Sequence, residues 1–189
     1  MLAIEPISQA APDLTGVAAL AFTSRNGVDA FAALSGARAL PVFAVGDATA
    51  EAARAAGFAS VRSAGGALAD LARLLTAEAP GRVLAPGALE PSGDLPALLA
   101  GRVGVHVLPV YRAVETGAAA PVFEAVLVHS PRAARALAAL GPFTGQVAVA
   151  ISDAAADPVT RAAALEIRIA TRPDEAALFE ALGKAAPRV

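Results

Sequence analysis

Four apolar residues, Ala19 to Phe22, run directly into Thr23, Ser24, Arg25, Asn26 and Gly27. Hydrogen-bonding residues set between a strand pattern and a helical pattern mark the place where parallel α/β sheets collect ligands, outside the carboxyl ends of their strands. Ser24 suits the cap of the following helix, and a cap that satisfies one amide leaves others for an anion. Gly46, Asp47 and Thr49 follow a second strand pattern in the same way, and His129-Ser130-Pro131 and Ser152-Asp153 follow two more. Pro131 fits a first helical turn, where its missing N–H has no partner to lose.

Each of these residues also has a purely structural reading. Ser24, Asp47, Ser130 and Asp153 read as helix caps first and ligand contacts second, and carboxylates near helix starts are what the macrodipole favours in any protein. Gly46 permits a tight strand-to-helix turn. Gly65-Gly66 precede a helix, but a lone glycine pair is weak evidence for an anion loop. His106, inside an apolar run, reads as a packed core residue, whereas His129 ends a strand beside a cap and is the better candidate for contact. Tyr111, the only tyrosine, either covers a hinge between two lobes or donates a phenolic proton in the cleft between them. The residues alone leave both open.

Composition removes several chemistries. The 189 residues contain no cysteine and two histidines. Disulfides, thiolate nucleophiles and thiolate metal sites are therefore excluded, and a zinc site has no carboxylate partners at ligand spacing. The one lysine, Lys184, lies in the last few residues, which argues against Schiff-base chemistry. A formal charge of −2 and 4% aromatic residues give little support to a nucleic-acid partner. No apolar run is long enough to span a membrane, and the N-terminus has no secretory pattern. The expectation is a soluble cytoplasmic protein with no metal and no organic cofactor.

Positioning these residues requires strands that alternate with helices. Strand patterns fall at 19–23, 41–45, 59–62, 82–85, 103–108, 125–129, 147–151 and 166–170. Helical periodicity falls at about 27–36, 47–56, 67–77, 93–100, 131–140, 153–164 and 174–184. Such alternation predicts an α/β protein with parallel sheets flanked by helices. The pattern is also duplicated. FTSRNGVDAFAAL matches VHSPRAARALAAL with Ser24 on Ser130, and VFAVGDATAEAA matches VAVAISDAAADP with Asp47 on Asp153, both at an offset of 106. GALADLARLL matches PDEAALFEAL at 107. The expected organisation is a complete α/β lobe over 8–106, a two-stranded connector formed by 1–7 and 107–115, and a second lobe over 116–189. The second lobe carries three strand patterns against five in the first, one β-α-β unit short.

Taken together, FTSRNGV, VFAVGDATAEAARAAGF, GDL at 93–95, VYR at 110–112 and SPRAARAL resemble uroporphyrinogen-III synthases across nearly the whole chain. The resemblance implies two α/β lobes on a two-stranded connector. It also implies closure of the linear tetrapyrrole hydroxymethylbilane to uroporphyrinogen III with inversion of ring D, without metal or cofactor. Such catalysis leans on positioning and water exclusion rather than on a strong nucleophile. Carried over by position, Tyr111 is the residue proposed to assist loss of the hydroxyl group. Thr23, Ser24, Asn26, Gly46, Thr49, His129 and Ser130 are the substrate-binding candidates. The chain departs from the family at Ser152-Asp153-Ala154-Ala155, where a Gly-Pro-Thr-Thr turn is expected, and in starting at MLAIEP, near the family's connector. The alternative is a truncated relative that binds a tetrapyrrole or other polycarboxylate without turning it over. An unrelated two-lobed periplasmic-type receptor is disfavoured, since no export signal is seen. A monomer is expected unless the short lobe drives association.

Overall fold

The computed structural model describes residues 2–7, 10–78, 80–116, 118, 122–160 and 164–183. The chain divides into two compact units, Ile4–Ala113 and Met1–Ala3 with Val114–Val189.

In chain order the first strands and helices are β1 (Leu2–Pro6), β2 (Ala19–Phe22), α1 (Arg25–Leu34), β3 (Val42–Ala44), α2 (Asp47–Ala55), β4 (Val61–Ser63), α3 (Leu68–Glu78), β5 (Val83–Ala88), α4 (Leu95–Leu99) and β6 (Val105–Glu115). They build one six-stranded sheet in the order β1-β6-β5-β2-β3-β4. The pairs β2–β3, β3–β4, β2–β5 and β5–β6 are parallel. The chain winds outward from β2 to β4 and then returns to β5 on the other side of β2. The switch in winding direction therefore falls between β2 and β5, where such sheets open a crevice at their carboxyl ends.

The strand β2 explains why the sheet holds. All four of its side chains are buried, and successive residues face opposite sides. Leu20 and Phe22 join Val28 and Phe31 of α1, Ala53 of α2 and Phe58 on one face. Ala19 and Ala21 join Leu71 and Leu75 of α3 and Leu95 and Leu99 of α4 on the other. A strand covered on both faces needs a continuous apolar run, and ALAF is one. Burying a side chain such as Phe22 contributes about 1.5–3 kcal/mol, and its ring meets Phe31 edge-on at 5.9 Å.

The remaining elements are β7 (Ala125–Val128), α5 (Pro131–Ala138), β8 (Thr144–Ala150), α6 (Asp153–Thr160), β9 (Ala164–Ile169) and α7 (Glu175–Gly183). The sheet is parallel, in the order β7-β8-β9. Ala134, Leu137, Ala155 and Val159 of α5 and α6 cover one face, and Leu178 of α7 packs on Val149 on the other. This repeats β2-β3-β4 with α1 and α2 on one side and α3 on the other. The structure has no counterpart of β5, α4 and β6 here among the described residues. Three of the four β7 residues are only partly buried. A groove of about 420 Å³ runs along β7 and α5, lined by Phe123, Val126, Ala133, Leu137 and Leu140 among others.

Several sequence expectations need correction. The strand pattern at 103–108 and the presumed connector at 107–115 fall on one strand, β6. Pro109 does not break it, since it precedes a bulge, where proline is tolerated. The N-terminal segment does pair with this strand, but as the outermost strand of the same six-stranded sheet rather than as a separate two-stranded connector. Ile7 N–H donates to Val110 O at 2.9 Å and Arg112 pairs with Glu5, so β1 and β6 run in opposite directions. The division between units falls within both strands. The helix expected at 93–100 spans only Leu95–Leu99, capped by Asp94 and stopped by a left-handed Ala100. His106 is exposed rather than packed, because the apolar cluster of its face takes only Leu108 from β6. Lys184 and 161–163, part of an expected helix, lie outside the described residues.

Candidate functional site

The carboxyl ends of β6, β5, β2, β3 and β4 form one rim, and most of the candidate residues stand on it. Ser24 caps α1 from an extended backbone, φ −159° and ψ 157°, and its Oγ accepts the Gly27 N–H at 3.1 Å. The Val28 N–H reaches Ser24 O at 3.4 Å. Of the four amides that open a helix, that of Gly27 is taken by Ser24 Oγ, and the exposed residues Arg25 and Asn26 stand at the positive end of the helix dipole. Asn26 is exposed and Thr23 half-buried.

Gly27 fixes how closely α1 approaches the sheet. A Cβ at this position would stand 2.8 Å from Pro86 O of β5. Only a residue without a side chain lets the first turn of α1 lie on that carbonyl.

Tyr111 reaches the same place through a shift in register. Along β5 and β6 the partners run Val83–Val105 through Gly87–Pro109, and the next pair is Ala88–Tyr111. Val110 is thus an extra residue on β6, the geometry of a β-bulge, which re-aims the side chain that follows. In strict alternation Tyr111 would share the face of Pro109 and Val107. After the bulge it shares the face of Ala88 and Leu84, which is the α1 side of the sheet. Its side chain is buried, 8% exposed, and its hydroxyl lies 2.9 Å from Ser24 Oγ. Leu89 N–H donates to Tyr111 O at 2.8 Å and holds the backbone there.

On the other side of Ser24, the cap of α2 is Gly46, and it has no side-chain cap bond. Asp47 is the first helical residue rather than the cap. A Cβ on Gly46 would lie 3.1 Å from Gly66 Cα, and the Gly66 N–H donates to Val45 O at 2.7 Å. Gly65 and Gly66 take φ values of 99° and 127°, a conformation that glycine permits. Thr49 lies beneath the rim, 5% exposed, with its amide already bonded to Gly46 O. Ser63, at the end of β4, carries a buried Oγ without a partner.

The second unit repeats the caps. Ser130, at φ −160° and ψ 156°, accepts the Ala133 N–H at 3.1 Å, with Pro131 in the first turn of α5. His129 is exposed at the end of β7. Ser152, not Asp153, caps α6, accepting the Ala155 N–H at 3.3 Å. Among the described residues no three His, Asp or Glu side chains converge as metal ligands. No helix among them is long and apolar enough to cross a membrane.

Sequence reasoning found Ser24 and Tyr111 separately but not their contact, because a one-residue bulge leaves no periodic signal. It also missed Gly27. A comparison of the two copies residue by residue finds it, since glycine stands there in one copy and alanine in the other.

A model of the family described as uroporphyrinogen-III synthase HemD matches residues 1–180. The fold is similar to the uroporphyrinogen-III synthetase of Helicobacter pylori 26695, at 19% identity and a TM-score of 0.75, over 97% of this chain and 91% of that one. It is also similar to a mutant uroporphyrinogen III synthase of the extremely thermophilic bacterium Thermus thermophilus, at 18% identity and a TM-score of 0.53, over 97% and 88%. No curated protein sequence matches it.

Proposed function

Because this chain belongs to the uroporphyrinogen-III synthase family, whose members close hydroxymethylbilane to uroporphyrinogen III, we propose that the rim around Ser24 and Tyr111 is where that closure takes place. The observation that carries the reading is the 2.9 Å contact between the two hydroxyls at the switch point between β2 and β5. A phenol held there can give its proton to the hydroxyl group leaving the substrate. The C–O bond then breaks with its electron pair on the departing water. The cationic carbon left behind is attacked by the substituted carbon of ring D, which gives the spiro intermediate that reopens and recloses inverted. When ring D finally closes through its free carbon, the proton that carbon releases restores the phenol, so the net loss is one water.

The substrate's carboxylates suit the helix start at the exposed residues Arg25 and Asn26 and the amides at the start of α2, which no side chain caps. Thr23, Asn26, Gly46 and Thr49 are proposed as the binding residues of the first unit, and Ser24 stands among them bonded to Tyr111. His129 and Ser130 are proposed as those of the second. Residues 8–106 and 116–189 are read as lobes, with 1–7 and 107–115 as the connector. The protein is taken to act in the cytoplasm as a monomer, without a nucleic-acid partner.

The test is to incubate purified protein with freshly generated hydroxymethylbilane and separate the product isomers. Type III isomer in excess of the enzyme-free control is expected, and its absence would overturn the enzymatic reading. The three-stranded sheet of the second unit favours one alternative, a relative that binds the tetrapyrrole without converting it. That alternative predicts saturable binding with no type III excess.

A further inference from the structure

Ser24 and Ser130 are the same cap twice, with backbone angles within one degree of each other and cap bonds of 3.1 Å in both. Among the described residues only the Ser24 hydroxyl has a second partner, the Tyr111 hydroxyl. A serine hydroxyl offers one donor and two acceptors. One acceptor position of Ser24 is taken by the Gly27 N–H, and a second bonding direction points at the Tyr111 hydroxyl. Three independent features enforce this pairing. Gly27 lets α1 close on Pro86 O, the extra residue Val110 turns Tyr111 to the α1 side, and Leu89 pins the Tyr111 carbonyl.

We propose that Ser24 is a positioning residue for Tyr111, and not chiefly a contact to substrate. This rests on the role of Tyr111 proposed above. Before reaction the two hydroxyls share one hydrogen bond, which holds the phenol in place. As Tyr111 passes its proton to the leaving hydroxyl, the Ser24 O–H turns to donate to the phenolate oxygen. The Gly27 amide bonded to Ser24 Oγ, at the positive end of the α1 dipole, strengthens Ser24 as that donor. When the ring carbon returns a proton to Tyr111, the original bond is restored. Ser24 itself neither gains nor loses a proton.

The sequence supplies an unusually clean probe, since Tyr111 is the only tyrosine and there is no tryptophan. Tyrosine absorption and emission therefore report this one phenol. Three variants are compared with the wild type: Ser24→Gly, which retains most of the helix cap because glycine is itself an accepted cap residue, Ser24→Thr, which retains the hydroxyl, and Ser130→Ala, which removes the duplicate cap. Ser24→Gly is expected to shift the tyrosine spectrum and lower kcat roughly 10- to 100-fold, the range of a hydrogen bond to a charged oxygen. KM should change less than about twofold, since the bond matters most in the transition state. Ser24→Thr should recover most of kcat, and Ser130→Ala should leave the spectrum as in the wild type.

An unchanged spectrum or an unchanged kcat in Ser24→Gly overturns the proposal, and a loss confined to KM does so by making Ser24 a substrate contact. A spectral shift of equal size in Ser130→Ala also overturns it, as a general loosening of the chain. Absence of type III product from the wild type overturns the function and this role together. Wild-type turnover with an indifferent Ser24→Gly overturns this role alone.

Discussion

Three residues after each capping serine, the two copies of the repeat differ, with Gly27 in one and Ala133 in the other. The caps are otherwise alike. What differs is the strand alongside. In the first unit β5 pairs with β2 and brings Pro86 O to within 2.8 Å of where a Gly27 side chain would begin. In the second, β7 is at the edge of its sheet among the described residues, and Ala133 faces the groove along it. The same absence shows in burial, since β2 is buried throughout and β7 is three-quarters half-open. The glycine is therefore not a feature of the cap. It is the imprint of a neighbouring strand, and that strand pairs in turn with β6, whose extra residue aims the tyrosine. The repeat supplies two equivalent helix starts, and β5 with β6 turn one of them into a candidate catalytic site.

The largest effect that can break this comparison is on chemistry. Tyr111→Phe removes the hydroxyl bonded to the Ser24 cap. It is expected to lower kcat about 100-fold, the lower end of a general-acid contribution, while the melting temperature changes little. Equal losses of turnover and stability would make Tyr111 a structural residue. Next in size is Gly27→Ala, which forces a methyl group against a backbone carbonyl and is expected to cost about 1–3 kcal/mol in denaturant unfolding. A neutral Gly27→Ala would sever the link between the glycine and β5. Its mirror, Ala133→Gly, meets no such wall. It should cost only about 0.5–1 kcal/mol, the ordinary penalty for glycine in a helix.

These pairs also show what the sequence does and does not reveal. The alternation of strand and helix was legible because β2, as ALAF, must be apolar on both faces, while its helices keep a polar side. The caps were legible because serine before a helical pattern has few other uses. The merging of 103–108 and 107–115 into β6 was not, because Pro109 reads as a break and is tolerated only beside a bulge. Asp47 and Asp153 were read as caps, yet Gly46 and Ser152 take that place, since a boundary shift of one residue lies below what periodicity resolves. The contact between Ser24 and Tyr111 joins residues 87 apart in the chain. No local rule encodes it, because it depends on the winding that brings β5 and β6 back beside β2.

A smaller effect separates two caps within the second unit. Ser130 caps α5 with a hydroxyl, whereas Asp174 caps α7 with a carboxylate, accepting the Ala177 N–H at 2.8 Å. The Ala177 amide and the Arg172 guanidinium bonded to Asp174 hold its carboxyl below the usual carboxylate range. A folded-state pKa below the unfolded one means that the cap contributes its full stability above about pH 4, the ordinary aspartate value. That contribution is lost as pH falls through the lower folded value, because the unfolded chain takes up the proton more readily. Acid should therefore loosen the first turn of α7 and leave that of α5 as it was, because a serine hydroxyl does not titrate in this range. Amide protection factors measured from about pH 6 down to about pH 3, a window that brackets the ordinary aspartate value, test this. Asp174→Asn, which caps without titrating, should remove the pH dependence from α7. If α5 and α7 instead lose protection at the same pH in the wild type, acid sensitivity belongs to the second unit as a whole, and its edge strand rather than its caps sets the limit.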